Sequence, residues 1–439
     1  MNSFKKNRRD FLKLSSFGFL GTTLGGKPTL KQNTPPIEIK KKRILGKTGF
    51  KVSDISTGGP KNETVLRALL NAGVNYIDTS ELYENGNNER LIGKVMKDYN
   101  RDDFFIATKI YNENGFENKE EVLNKARKCL ERLQMDYVDC LMIHHVDSTK
   151  KIKDEAYHSA IKQLKEEGRV GYSGLSCHGA AWIEQPEQTI DTILNEAIND
   201  GRFDVFLMTY NFLNAPLVET VLERCSKKGI GTAIMKSNPV KNYQYLKNII
   251  EKRIEEKKEI SEKLNDYYQR YVDGYETAVE FFGKYGYETD DELKKAATKF
   301  VLNNQNISTI CLTYNNLEDV KYYLPLSGSC LLEAYHKELL EDYHQYFGSL
   351  NCRVGCNTCE KKCPHQLPVN NIMRYGYYFH NKKEEKYAMQ LYNDPSFGYA
   401  DICKSCEGYC MKACPFNVNV KDLMVGIHDT LSLYPSRST

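Results

Sequence analysis

From residue 43 to about residue 325, short apolar runs of strand length alternate with longer stretches whose apolar residues recur at helical spacing. The short runs are 52–58, 75–78, 104–108, 137–144, 170–176, 205–210, 230–235 and 308–313, several rich in Val, Ile, Tyr and Phe. Between them lie helical patterns such as 63–71, 88–99, 119–133, 157–167 and 217–228. Eight strand and helix units in series predict an α/β fold, a closed parallel (β/α)8 TIM barrel with its helices outside. An open doubly wound sheet is the alternative, but no Gly-x-Gly-x-x-Gly follows the first strand to mark a dinucleotide crevice. One segment breaks the rhythm. Residues 241–290 are rich in Lys, Glu and Tyr and read as a solvated helical insertion, with a lid over the barrel mouth as the competing reading.

Length adds to this pattern. A chain of 439 residues exceeds one ordinary core, so the barrel needs company. The expected division is 1–36, a leader and linker; 37–330, the barrel; and 331–439, a separate helical unit. A net charge of +3 gives no electrostatic case for nucleic acid or an acidic membrane surface. Near the start, Arg8 and Arg9 precede Phe11, Leu12 and a short apolar stretch that is too brief to span a bilayer, which takes about 20 residues. This resembles a twin-arginine signal, which implies export of a folded, cofactor-loaded protein to an extracytoplasmic compartment.

The cysteines change the picture most. Of 14, eight crowd into the last ninety residues as Cys352-x3-Cys356-x2-Cys359-x3-Cys363-Pro and Cys403-x2-Cys406-x3-Cys410-x3-Cys414-Pro. Close thiolates ending in Cys-Pro are the pattern of 4Fe-4S ligation, with structural zinc as the competitor. The resemblance to two-cluster ferredoxins implies that Cys352, Cys356 and Cys359 join Cys414 on one cluster, and Cys403, Cys406 and Cys410 join Cys363 on the other. Both motifs depart from the usual spacing by one residue. Residues 367–400 between them read as helical, an alpha-helical ferredoxin-like unit. The other six cysteines are scattered singly and read as buried free thiols.

Polar residues at the C-terminal ends of barrel strands are candidates for chemistry. Asp78 ends the second strand, Tyr83 follows it, Lys109 ends the third and His144 the fourth. These residues, with Arg43-Ile-Leu-Gly-Lys-Thr-Gly49, NYIDTSELY (75–83), IATK (106–109) and DYVDCLMIH (136–144), resemble the aldo/keto reductase family over roughly 43–325. The chemistry suits the set. Reducing a carbonyl leaves an alkoxide that needs a proton, a phenol can give one, and Lys109, oriented by Asp78, can steady the phenolate, while His144 holds the substrate oxygen. His145 is the neighbour of His144, and strand alternation is expected to send it to the opposite face.

The resemblance further implies NAD(P), with Tyr210 stacked on the nicotinamide and Ser176 on its carboxamide. Cys177 stands where the family has asparagine, Leu207 where it has glutamine, and the eighth-strand segment 310–323 lacks the 2′-phosphate clamp. With leader, barrel and cysteine segment together, the chain resembles the bacterial iron-sulfur aldo/keto reductases. That implies an oxidoreductase interconverting a small carbonyl and its alcohol, two 4Fe-4S clusters, and a redox partner protein. The alternative is an exported iron-sulfur electron-transfer or binding protein whose barrel has lost hydride chemistry.

Overall fold

The computed structural model describes residues 37–179, 188–240, 255, 279–281, 283–286, 291–329, 331–382, 384–394 and 399–433. The twin-arginine reading and most of the 241–290 insertion fall outside these residues.

Ten strands form. A two-stranded antiparallel hairpin, β1 (Lys42–Ile44) and β2 (Lys51–Ser53), precedes a closed parallel barrel of β3 (Ile55–Gly58), β4 (Tyr76–Asp78), β5 (Phe105–Ile110), β6 (Val138–Ile143), β7 (Val170–Cys177), β8 (Val205–Thr209), β9 (Gly231–Met235) and β10 (Thr309–Leu312). The (β/α)8 architecture expected from the sequence is therefore present. One expected strand, 52–58, is divided at Asp54, whose carboxylate accepts from Ser327 Oγ at 2.6 Å and from the Gly328 amide at 2.8 Å. That anchor turns the chain, so 51–53 pairs with the hairpin and 55–58 with the barrel.

The outer helices are α1 (Glu63–Asn71), α2 (Asn87–Met96), α3 (Lys119–Leu133), α4 (Thr149–Ile152), α5 (Glu155–Glu166), α6 (Ile190–Asp200), α7 (Ala215–Lys227), α8 (Asp291–Asn303) and α9 (Leu317–Tyr323). Their starts are written in the sequence. Asn62, Asn118, Asp154 and Asn316 each accept a backbone N–H from the first turn of the helix that follows.

Two apolar layers follow from strand alternation. Inside the barrel lie Tyr76, Phe105, Ala107, Cys140, Met142, Val205, Leu207 and Ala233, closed at the bottom by Leu45 and Val52 of the hairpin region. The residues between them in sequence, such as Ile77, Ile106, Leu141, Phe206 and Met208, face the helices. Tyr76 stacks on Phe105 with ring centroids 5.5 Å apart. Strands buried on both faces explain why the sequence shows apolar runs rather than clean alternation.

Beyond the barrel, α10 (Ala334–Phe347) packs Leu339, Leu340, Tyr343 and Phe347 on Leu293, Ala296 and Ala297 of α8. A helical extension follows: α11 (Val369–Lys382), α12 (Glu385–Tyr392), α13 (Tyr409–Ala413) and α14 (Val420–Leu431). Its own core includes Leu367, Ile372, Tyr375, Tyr392, Met424 and Ile427. No helix among the described residues is long and apolar enough to cross a membrane.

The extension lies across the C-terminal ends of three strands. After β7, Gly179 approaches Gly355 so closely that a Cβ would stand 2.3 Å from the Gly355 Cα, and Ile190 donates its amide to the Gly355 carbonyl at 2.8 Å. After β8, Arg353 Nε donates to the Leu213 carbonyl, and after β9 the Tyr377 hydroxyl donates to that of Asn238. These ends are where the polar candidates sit.

Candidate active site

Parallel register assembles the first four candidates. Asp78 is level with Ala107 on the neighbouring strand, and Lys109, two residues further along, points into the barrel on the same face. Its ammonium reaches back to Asp78 Oδ1 at 2.6 Å and also donates to the Thr79 carbonyl. Both side chains are almost wholly buried. Burial works against the Lys109 charge, but the Asp78 carboxylate opposes it, and the ammonium is held above its ordinary pKa. Burial raises the Asp78 carboxyl, and Lys109 opposes that rise.

The short helical turn after β4 brings Tyr83 over this pair, with the Lys109 ammonium 4.7 Å from the ring centroid. Glu84 and Asn85 take positive φ there, a backbone strain that fixes the turn. Burial raises the Tyr83 phenol, and Lys109 pulls the other way without cancelling it, so the resting form is the phenol. His144 meets the Tyr83 ring edge-on, with centroids 5.7 Å apart. Burial and the cations around it push its pKa well down, so its imidazole is neutral. Asp78, Tyr83, Lys109 and His144 are thus gathered at one end of the barrel.

Sequence reasoning missed Ser80, whose hydroxyl pairs with His144 Nδ1 at 2.9 Å and fixes which ring nitrogen remains for a ligand. The signal was available, since Ser80 stands between Asp78 and Tyr83. Cys311 of β10 was read only as a buried thiol. It lies beside Ser56 at 3.3 Å and close enough to bear on Lys109 and Tyr83.

His145 does not go to the opposite face. Strand β6 stops at Ile143, and His145 takes φ +55, which folds its ring back onto His144 with centroids 4.1 Å apart. His178 stacks on His145 in turn at 5.1 Å. Burial, with the cations Arg374, Lys109, Lys151 and Lys236 around it, pulls His145 down to about 3.

Of the two expected nicotinamide contacts, Tyr210 lies in the helix layer and Ser176 at the mouth. Along β8, Val205 and Leu207 point inward, while Phe206, Met208 and hence Tyr210 point to the helices. Tyr210 stacks on Phe300 at 5.7 Å, and its hydroxyl is tied to Glu219 and Asn304. Ser176 faces the mouth, but its hydroxyl accepts the His145 amide at 3.0 Å, pinning the strained residue. Cys177 turns to the helix layer.

The cysteine reading is corrected. Cys352, Cys356, Cys359 and Cys414 line one small cavity, and Cys363, Cys403, Cys406 and Cys410 a second. Yet among the described residues, which include all eight, no group of three or more Cys, His, Asp or Glu side chains is placed to hold a metal ion. Burial also raises the Cys352, Cys359 and Cys403 thiols, the last to about 12. The two 4Fe-4S clusters, the zinc alternative, the electron-relay role, the redox partner and the electron-transfer alternative built on them therefore lose their footing.

Residues 47–326 match the model of the family described as aldo/keto reductases. The chain belongs to the aldo/keto reductase family. The match lies on the barrel and stops before α10, so the kinship to an iron-sulfur subgroup narrows to the family itself. Among curated relatives, the chain is 34% identical over 177 residues to the L-galactose dehydrogenase of Arabidopsis thaliana, across 35% of this chain and 55% of that protein. It is 32% identical over 129 residues to the aldo-keto reductase YhdN of Bacillus subtilis, across 27% of this chain and 38% of the relative. The chain spans about half the length of the first curated relatives it matches. A solved aldo-keto reductase from Bacillus halodurans, in its holo form, aligns with 69% of this chain and 95% of its own at 22% identity and a TM-score of 0.47.

Proposed function

We propose that this aldo/keto reductase interconverts a small carbonyl compound and its alcohol with NAD(P), using Tyr83 as the proton donor. The observation that carries the reading is the convergence of the Tyr83 ring, the neutral His144 and the buried Lys109–Asp78 pair at one end of the barrel.

The donor set fits the oxygen half of a carbonyl reduction. A bound nicotinamide supplies the hydride that goes to the carbonyl carbon. Tyr83, protonated at rest, gives its proton to the carbonyl oxygen as negative charge grows there. The phenolate left behind faces the Lys109 ammonium, which Asp78 holds charged and aimed. His144, with Nδ1 committed to Ser80, offers its other ring nitrogen to the substrate oxygen. Run in reverse, Tyr83 as phenolate accepts the alcohol proton.

We also take 37–330 as the reductase unit and 331–439 as a helical cap on its mouth. The test is Tyr83→Phe, assayed by nicotinamide oxidation with a panel of aldehydes. Turnover should fall by roughly 100-fold to 10,000-fold while nucleotide affinity holds. Undiminished turnover would remove Tyr83 from the proton-donor role.

A further inference from the structure

The helical extension brings charge to the barrel mouth. On α11, Tyr378 faces the loop after β9, where Lys236 Nζ donates to its hydroxyl at 3.3 Å and lies 5.0 Å from its ring centroid. Arg374, one turn earlier on the same helix, acts on Tyr378 together with Lys236 and lowers the phenol despite its burial. The same two cations bear on His145 and His178, whose stack runs back to His144 and Tyr83. The mouth between tetrad and extension is therefore ringed by Lys236, Arg374, Tyr378, His145 and His178.

Three features mark it as built to receive something. Lys236 and His145 both take positive φ, an unusual backbone for residues with side chains and one that concentrates at ligand sites. The His178 Nδ1 atom is buried without a hydrogen-bond partner. Arg374 hydrogen-bonds the neutral Asn371 amide and has no carboxylate ion-pair partner among the described residues. The nearby cations of the barrel differ, since Lys109 is paired with Asp78 and Lys151 with Asp147. Three carboxylates among the described residues bear on α11, Asp394 through Tyr375. Glu384 faces Tyr378 but reaches toward Lys61 at 3.9 Å, and Glu360, which feels Arg374, is engaged by Asn357 and the Asn370 amide.

We propose that Lys236, which donates to the Tyr378 hydroxyl, and Arg374, one turn earlier on α11, form an anion subsite that takes a carboxylate carried by the carbonyl substrate. The inference rests on the carbonyl-reductase reading and narrows its substrate class to carbonyl compounds bearing an acid group. Fixing that group against the extension would turn the carbonyl toward Tyr83, so the cap selects substrates for the barrel. The same chemistry would suit a nucleotide phosphate, and the experiment separates the two sources.

The full-length protein, with Arg374→Leu, Lys236→Met and the milder Arg374→Gln and Arg374→Lys, is assayed on 4-carboxybenzaldehyde against benzaldehyde and on succinic semialdehyde against butanal. The ratio of kcat/KM for the acid over its neutral partner should fall roughly 10-fold to 100-fold in the Leu and Met variants, the loss of a charge-assisted contact, and recover in part in Arg374→Lys, which keeps the positive charge. Succinate binding, followed by calorimetry without turnover, should be lost in the same variants. If neither enzyme form prefers the acids and succinate does not bind the wild type, the subsite is overturned. It is equally overturned if the variants lose nucleotide affinity to the same degree as acid preference, because the charges then serve a phosphate. Succinate binding that depends on Arg374 in a protein without carbonyl turnover would uphold the subsite and reject the reductase reading.

Discussion

Replacing Lys109 by methionine keeps most of the side-chain volume and removes the charge that answers Asp78. In the native protein the ammonium meets Asp78 Oδ1 at 2.6 Å with both side chains buried, while Asp78 Oδ2 is buried without a partner among the described residues. Breaking a buried pair on one side costs about 3–5 kcal/mol, because a carboxylate is left without compensation. The cost should depend on pH. Burial already raises the folded-state pKa of Asp78 with Lys109 present, and Lys109 is what lowers it. In Lys109→Met the folded value climbs further above the unfolded value of about 3.9. Between those two values the native state holds more protons than the unfolded chain, so stability falls as pH rises through the window and levels off above it. Urea unfolding of wild type and variant at pH 5 and pH 8 should show the smaller deficit at pH 5. Adding Asp78→Asn, which removes the orphaned charge, should recover part of the loss at pH 8. An equal deficit at both pH values, with no recovery in the double variant, would refute the buried-charge account and leave only lost packing.

Three further outcomes follow from the geometry. Gly93→Ala in α2 should destabilise by about 1–3 kcal/mol in urea unfolding, since its Cβ would stand 2.2 Å from the Leu133 carbonyl oxygen, although alanine is the better helix former; a gain in stability would show that the helices part freely. Ser80→Ala should lower kcat roughly 3-fold to 10-fold by releasing His144 Nδ1, with the urea midpoint little moved; unchanged kcat would make Ser80 a bystander. His145, depressed to about 3, binds fewer protons in the native than in the unfolded state below about pH 6.5, so it costs stability as pH falls through that value. His145→Asn, a residue that tolerates positive φ, should therefore lose about 1 kcal/mol less than wild type between pH 7.5 and pH 5.5, and parallel pH profiles would contradict this.

The sequence alone determined the barrel and most of its candidate site, because both are matters of period and local order. Strand-length apolar runs recur with helices between them, helix starts carry their Asn and Asp caps, and Asp78, Tyr83, Lys109 and His144 fall at strand ends where parallel register must bring neighbours together. What it left undetermined were directions set by a single residue. One step along β8 sends Tyr210 to the helix layer instead of the mouth, and one positive φ after β6 folds His145 back beside His144. Cysteine spacing likewise brought the thiols into two shared cavities but did not by itself place three of them to hold a metal ion. The meeting of Tyr378 with Lys236 joins residues 142 positions apart in the chain. No local pattern encodes such a contact; it exists because the extension packs glycine against glycine across the mouth of the barrel.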